Sequence, residues 1–317
     1  MGTVISRPHI ARGGWRNRHS ALNLAVSAAK ICLKQTGLDA DDVDLLVNAG
    51  IYRDRNLGEP ALAALIQQDI GANPEDPHEN AHGTFSFDIA NGACGVLTAL
   101  QIVDGFLRSH AVNRALVVAS DANPGHGMSE HFPFSPVGAA LLCEWNDSDE
   151  GLGRIHWVNH PDVANSFTAT VGFDDHRNVL RFCESPLLDA RFAAAGADVA
   201  RRCLDDHALR ITDIDVIVAA PARKTYRSAL AALLGVPVER IAVADDERMH
   251  TASLAGALAC AVDQVRSDTT ALLIAAGSGI TAGAAVYRKA ANAAGSRDSR
   301  CTNAFDVKNG ANDGRNA

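Results

Sequence analysis

The chain has 317 residues, 47% of them hydrophobic, so it can bury a large core and is long enough for two domains or one duplicated fold. Acidic residues outnumber basic ones 37 to 29, the formal net charge is −8, and no long Lys/Arg run occurs, which argues against nucleic acid as a partner. Seven cysteines, Cys32, Cys94, Cys143, Cys183, Cys203, Cys260 and Cys301, stand without a Cys-x-x-Cys pair, which argues against a disulfide framework or a zinc cluster and for a reducing compartment. No apolar run reaches membrane-spanning length and the Arg-rich start lacks an apolar signal core, so a soluble cytoplasmic protein with no membrane partner is expected.

Residues 1–18 show little pattern beyond several Arg and a Gly-Gly pair. Residues 20–36 carry apolar side chains at helical spacing, with Ser20 placed to cap the start and Gly37 to end the helix. Residues 43–50 read as a buried strand, 60–70 as a second helix, and 71–84 as a long loop with two prolines and two histidines. A short strand over 85–89 then meets a run of small residues, Ala90-Asn-Gly-Ala-Cys-Gly95, and a helical apolar run begins at Val96. Cys94 is thereby set at or near a helix N-terminus, where unpaired N–H groups and the positive dipole end favour thiolate over thiol. Taken alone, such a thiol is either a small buried hydrophobe or a nucleophile. Residues 114–121 form a further buried strand, and the alternation fits a largely parallel α/β layer covered on both faces.

The same order recurs. The helical run from Leu188 answers the one from Ser20, Ile214-Asp-Val-Ile-Val-Ala-Ala answers Val43-Asp-Leu-Leu-Val-Asn-Ala, and Ala229-Leu-Ala-Ala-Leu-Leu answers Ala61-Leu-Ala-Ala-Leu-Ile. Ile241-Ala-Val-Ala answers Phe85-Ser-Phe-Asp, and Ala271-Leu-Leu-Ile-Ala-Ala answers Ala115-Leu-Val-Val-Ala-Ser. Matches kept in order over this length indicate one structural unit used twice. Opposite the helix after Cys94 then stands the helix beginning near Leu254, preceded by His250-Thr-Ala-Ser253. Without the duplication His250 reads as an ordinary residue at a helix start. Packing of the halves about a pseudo-twofold axis through the two helices brings it toward the Cys94 sulfur.

These motifs resemble the thiolase fold and, within it, the β-ketoacyl-acyl-carrier-protein synthase III group and its acyltransferase relatives, over residues 20–288. Asp88-Ile-Ala-Asn-Gly-Ala-Cys94-Gly is similar to the nucleophile motif, followed by Arg114-Ala-Leu-Val-Val-Ala-Ser-Asp. Ser135-Pro-Val-Gly-Ala-Ala-Leu-Leu is similar to the Gly-Asp-Gly-Ala-Gly-Ala strand, and Gly277-Ser-Gly-Ile-Thr-Ala-Gly to the closing Gly-rich loop. The resemblance implies a five-layer αβαβα architecture of two duplicated βαβαβ-type halves, residues 1–160 carrying the nucleophile and 161–290 forming the second half, with a disordered tail over 291–317. It also implies a homodimer paired through the first halves.

The chemistry implied is acyl transfer through a thioester on Cys94, loaded from coenzyme A or from the phosphopantetheine arm of an acyl carrier protein, with no permanently bound cofactor. The Cys94 N–H and one from Gly277, Ser278 or Gly279 would form the oxyanion hole. Two departures stand out. Condensing synthases carry His-Gln-Ala-Asn where this chain has Ala220-Pro-Ala-Arg223, and Gly-Asn-Thr where it has Met249-His-Thr251. One His is absent and another occupies an Asn position, so stabilisation of a malonyl-derived enolate loses its usual pair. Cys94 with His250 as general base suffices for transthioesterification and transfer to another acceptor. The rivals are a decarboxylative condensing synthase and a degenerate partner subunit of a heterodimer. Asp245, Asp246 and Glu247 are the nearest carboxylates in sequence to orient His250. Arg223, Lys224, Arg227 and Arg248 offer either a docking patch for coenzyme A phosphates or an acidic carrier, or a set of solvated surface charges. His126 and His131 are loop histidines of lower weight, and no His-x-x-x-His or carboxylate cluster suggests a metal.

Overall fold

The computed structural model describes residues 2–15, 18–72, 83–265 and 267–289. In chain order the elements are β1 (Gly2–Ile5), β2 (His9–Arg12), α1 (Ala21–Thr36), β3 (Leu45–Asn48), α2 (Leu62–Ile70), β4 (Phe85–Asp88), α3 (Gly95–Arg108), β5 (Arg114–Asp121) and β6 (Val137–Asn146). There follow β7 (Gly151–Leu152), β8 (His156–Asn159), β9 (Phe167–Asp174), β10 (Arg177–Glu184), α4 (Leu188–Asp206), β11 (Val216–Ala220), α5 (Lys224–Leu234), β12 (Ile241–Ala242), α6 (Ser253–Ala261), β13 (Thr269–Gly277) and β14 (Thr281–Lys289). The first helix shows why the local sequence reads clearly. The Ser20 hydroxyl accepts from the Asn23 N–H at 3.2 Å, and Gly37, at φ +71°, returns its N–H to the Leu33 carbonyl.

Pairing runs β4-β3-β5-β6-β1 on one side and β12-β11-β13-β14 on the other, with β8 added to β14. β3 is parallel to β4 and β5, and β11 to β12 and β13, while β6 and β14 run antiparallel to their neighbours. The sheet is therefore mixed rather than largely parallel. The short β7 pairs with both β1 and β14 and joins the two sets into one 12-stranded sheet.

Strand alternation sorts the side chains into three cores. Leu45, Val47, Val117 and Leu141 of one half, and Val216, Val218 and Leu273 of the other, face a central core filled by α3 and α6. The alternate residues Leu46, Leu116, Val118 and Leu142 face α1 and α2, whereas Ile217, Ala219, Leu272 and Ile274 face α4 and α5. Five layers result, helix, sheet, helix pair, sheet, helix, with α3 and α6 at the centre. Close approach is enforced at Gly138, where a Cβ would lie 2.3 Å from the Leu24 carbonyl oxygen, so α1 rests directly on β6.

Residues 2–12 pair as β1 and β2 with β6, although they carry little pattern of their own. The β9–β10 hairpin is inserted between β8 and α4 and has no counterpart among the described residues of the first half. The expected disordered tail over 291–317 and residues 73–82 of the long loop lie outside the described residues. No described helix is long and apolar enough to cross a membrane.

Candidate active site at the facing helix starts

The stretch before Cys94 is held by Asp88 at the end of β4. Its carboxylate accepts from the Leu62 and Ala63 N–H groups at 2.8 Å each and from Asn48 Nδ2 at 3.0 Å, while Arg53 pairs with it at 3.2 Å. One side chain thus caps α2 and fixes where the strand releases the chain. Gly92 then turns at φ +51°, the left-handed region that glycine enters without Cβ strain, and a short 3₁₀ turn over Gly92–Cys94 leads into α3.

Cys94 is fully buried, and its thiol donates toward the Thr281 carbonyl at 3.6 Å. Burial pushes its pKa up to about 12. The helix start was expected to favour the thiolate; here the loss of water outweighs the helix dipole, and the resting sulfur is a thiol. Gly277, the first residue of the Gly277-Ser-Gly279 loop, packs against it, where a Cβ would stand 3.2 Å from Sγ and 3.4 Å from the Cys94 nitrogen. The Cys94 N–H, one of the expected oxyanion donors, is engaged with the Asn91 carbonyl at 3.0 Å.

His250 comes from the second half and reaches the same place. A Cβ on Gly92 would lie 3.6 Å from His250 Cε1, 3.7 Å from Nε2 and 3.7 Å from Ser278 Oγ. The imidazole stacks on Phe134 at 4.1 Å between ring centres with a 13° tilt, and on Tyr52 at 5.4 Å. Desolvation lowers its pKa below 6.5, opposed by the charge of Asp121, so the resting ring is a neutral base at neutral pH.

Two cavities meet here. One of about 280 Å³ is walled by Ala93, Phe134, Phe192, Met249 and Gly277, with Arg223, Glu247 and Arg248 on its polar side. The other, about 460 Å³, is walled by Tyr52, Leu57, Gly92, Ala169, Val171 and Leu180. Phe167, His250 and Ser278 line both. Ala220-Pro-Ala-Arg223 does reach the first cavity, through Pro221 and Arg223, but among the described residues His250 is the sole imidazole on either wall.

The three carboxylates nearest in sequence have other partners: Asp245 pairs with Arg12, Asp246 accepts from the Arg248 N–H, and Glu247 pairs with Lys224. The carboxylate beside His250 is Asp121, at the end of β5. It is 2% exposed and accepts from the Thr251 N–H at 2.8 Å, Thr251 Oγ1 at 2.6 Å and the Tyr52 N–H at 3.2 Å. The sequence reading passed over Asp121, although an acid closing an otherwise apolar strand was a visible signal.

The four basic residues do not form an open patch. Arg223 pairs with Glu184 at 2.5 Å and Asp189 at 2.8 Å, Lys224 with Glu247 at 2.6 Å, and Arg248 donates to the Pro133 and Phe134 carbonyls at 2.9 and 3.4 Å. Lys224 and Arg227 lie on α5, and the Arg227 Nε is buried without a hydrogen bond. His126 and His131 line a separate hollow with Arg18, His19 and Arg248.

Comparison with known proteins extends the picture from the site to the whole chain. A family description for the C-terminal part of 3-oxoacyl-[acyl-carrier-protein] synthase III matches residues 204–289. The chain is 25% identical over 313 residues to the β-ketoacyl-[acyl-carrier-protein] synthase III of Koribacter versatilis, covering 88% of each chain. It is 29% identical over 305 residues to the protein of the same name from Sphingopyxis alaskensis, covering 88% of this chain and 89% of that one. The crystal structure of 3-oxoacyl-[acyl-carrier-protein] synthase III from Aquifex aeolicus superposes with a TM-score of 0.76 at 18% identity, over 90% of this chain and all of that one. Five layers with paired helix starts at their centre define a thiolase-fold protein. Within that fold the chain is similar to β-ketoacyl-acyl-carrier-protein synthase III over most of its length.

Proposed function

We propose that the protein is an acyltransferase that carries its acyl group as a thioester on Cys94. The observation that carries this reading is the convergence of a buried thiol packed beneath Gly277 and an imidazole from the opposite half, where Gly277, Ser278 and His250 line the adjoining cavity. Neutral His250 accepts the thiol proton as Cys94 Sγ attacks the donor thioester carbonyl. The tetrahedral intermediate collapses with release of the coenzyme A or phosphopantetheine sulfur, which takes the proton back from His250. In the second half-reaction His250 deprotonates an acceptor that attacks the Cys94 thioester, and the intermediate collapses by releasing the Cys94 sulfur, which takes the proton back from His250. Because the sulfur is enclosed at rest, the Gly277-Ser-Gly279 loop must shift for the donor to reach it. The same shift frees donors from this loop for the oxyanion.

Transfer without decarboxylation is preferred, because a single imidazole lines the two cavities where condensing relatives use a His and an Asn. The first cavity, lined by Arg223 and Arg248, is taken as the path for the pantetheine arm; Arg223 is paired with Glu184 and Asp189, whereas Arg248 donates to the Pro133 and Phe134 carbonyls. The terminal strand β4 pairs on one side only and exposes Phe85, which suits a homodimer joined through first halves. Six described cysteines are free thiols, in keeping with the cytoplasm.

Intact-protein mass after incubation with a panel of acyl-CoA and acyl-carrier thioesters tests the proposal. The expected result is a mass gain of one acyl group that vanishes in Cys94→Ala. No gain with any donor, from well-folded protein, leaves the degenerate-subunit reading. Carbon dioxide release from malonyl thioester after acylation favours the condensing synthase named for its relatives.

A further inference from the structure

A second constellation lies away from Cys94, on the outer layer of the second half. His156 on β8, Cys203 on α4 and His207 at the end of α4 bring one ligand atom each to within 4.8 Å of one another. Cys203 and His207 are one helical turn apart and so share a face. Their face packs against β8, the strand that supplies His156.

The protonation pattern is that of a ligand set. His207 Nδ1 stands 2.9 Å from the Cys203 carbonyl, which only accepts, so Nδ1 bears the proton and Nε2 keeps a free lone pair. Metal-bound histidines are commonly held by such a bond from the other ring nitrogen to a carbonyl. His156 Nε2 is buried with no hydrogen-bond partner, although the Asp206 carboxylate stands 3.3 Å away. A buried imidazole nitrogen that makes no hydrogen bond, set beside a buried thiol and within 3.3 Å of a carboxylate, is placed to take a metal ion. Room is kept as well: Gly153 has no side chain where a Cβ would come 2.9 Å from His207 Nε2.

We propose that His156, Cys203 and His207 bind a divalent transition ion of zinc type, with the Asp206 carboxylate or a water as fourth ligand. Two imidazoles and one thiolate suit a borderline-soft tetrahedral ion and not calcium or magnesium, which take oxygen ligands. Tetrahedral bonds of about 2.0–2.3 Å place ligand atoms roughly 3.3–3.8 Å apart, so a contraction of about 1 Å closes the site. Binding exchanges the Cys203 thiol proton for the metal bond and releases that proton to solvent. The ion ties β8 to the C-terminal end of α4 across the β9–β10 insertion, a structural role separate from acyl transfer. The sequence search for His-x-x-x-His missed it because the helical pair is Cys-x-x-x-His and the third ligand is 47 positions upstream of Cys203.

The test uses the full chain in a background of Cys94→Ala, Cys183→Ser, Cys260→Ser and Cys301→Ser, stripped with chelator and titrated with zinc against a chromophoric competitor. One ion per chain is expected. With cobalt, a sulfur-to-metal absorption band is expected that disappears in Cys203→Ser. His156→Gln and His207→Gln should weaken binding by more than the roughly 10- to 100-fold seen when a group behind a ligand is removed. Zinc should raise the melting temperature of the background protein and not of Cys203→Ser, with circular dichroism confirming that the variant folds. Zinc binding equal in the background protein and in folded Cys203→Ser overturns the proposal. So does a cobalt spectrum without the sulfur band.

Discussion

Asp121 and Thr251 are joined by two hydrogen bonds, one from the Thr251 N–H at 2.8 Å and one from its Oγ1 at 2.6 Å, although 130 positions separate them. The carboxylate thereby fixes the residue after His250 to the end of β5, the strand that follows the Cys94 helix. It also sets a negative charge near the imidazole, raising a pKa that burial otherwise lowers.

Replacing Asp121 with Asn puts an amide NH₂ among three groups that donate hydrogen bonds. A stability loss of about 1–3 kcal/mol is expected, read from chemical denaturation. Removal of the negative charge lowers the His250 pKa further, so the acidic limb of kcat/KM should move to lower pH. A limb that stays in place, or moves up, contradicts this role for Asp121.

The pH profile of the native protein follows from two shifts of opposite sense. His250 titrates below 6.5, so activity is present above its pKa and is lost as pH falls through it. The Cys94 thiol, pushed up to about 12, adds no rise between pH 8 and 9. A plateau is expected from near neutrality upward. In His250→Ala the base is gone, and acylation should fall about 10²- to 10⁴-fold at pH 7 and regain rate as hydroxide increases.

Chemical modification should report the enclosure of the sulfur. Cys183 and Cys260 are exposed whereas Cys94 is not, so iodoacetamide should label the first two well before Cys94. Peptide mass spectrometry over time gives the order. Early labelling of Cys94 in the resting protein would falsify the closed-loop description.

Gly277→Ala adds a methyl group 3.2 Å from Cys94 Sγ at a backbone φ of −155°, which alanine adopts without strain. The cost to stability is that of local overpacking, about 1–3 kcal/mol. Acyl-enzyme formation should fall at least about tenfold, as expected when a reacting group is crowded out of line. Stopped-flow acylation and a thermal melt separate the two effects.

Phe134→Leu removes the ring stacked at 4.1 Å on His250 and admits water beside the imidazole. The His250 pKa should return toward 6.5, moving the acidic limb upward, opposite to Asp121→Asn. Measuring both variants in one buffer series makes the two directions a joint test.

Much of the fold was legible because its signals are local. Ser20 and Gly37 mark both ends of α1, and the apolar runs at Leu45, Arg114, Val216 and Thr269 match buried strands. The position of Cys94 at a helix start followed from the small-residue run before Val96, and that of His250 opposite it from the repeat. What escaped was set by distant partners. β1 and β2 become strands by pairing with β6, more than 120 positions away, and residues 167–184 pair chiefly with each other outside the repeat. The sense of the Cys94 pKa escaped for a related reason: its burial depends partly on Gly277 and Thr281 from the second half, which nothing near Cys94 in sequence reveals.

Leu152 is the partner of Thr3 in β1 and also of Tyr287 in β14. Through this one residue the hydrogen-bonded ladders of the two halves become continuous. The Cys94 thiol and the His250 imidazole are thus mounted on a common frame and not on two bodies that open and close. Domain closure is unavailable as a way to sequester the substrate, and what moves during turnover must be confined to loops such as Gly277-Ser-Gly279. Changes in the cavity walls at Leu57, Val171 or Phe192 can then alter what fits while the distance between sulfur and base stays as the ladder sets it.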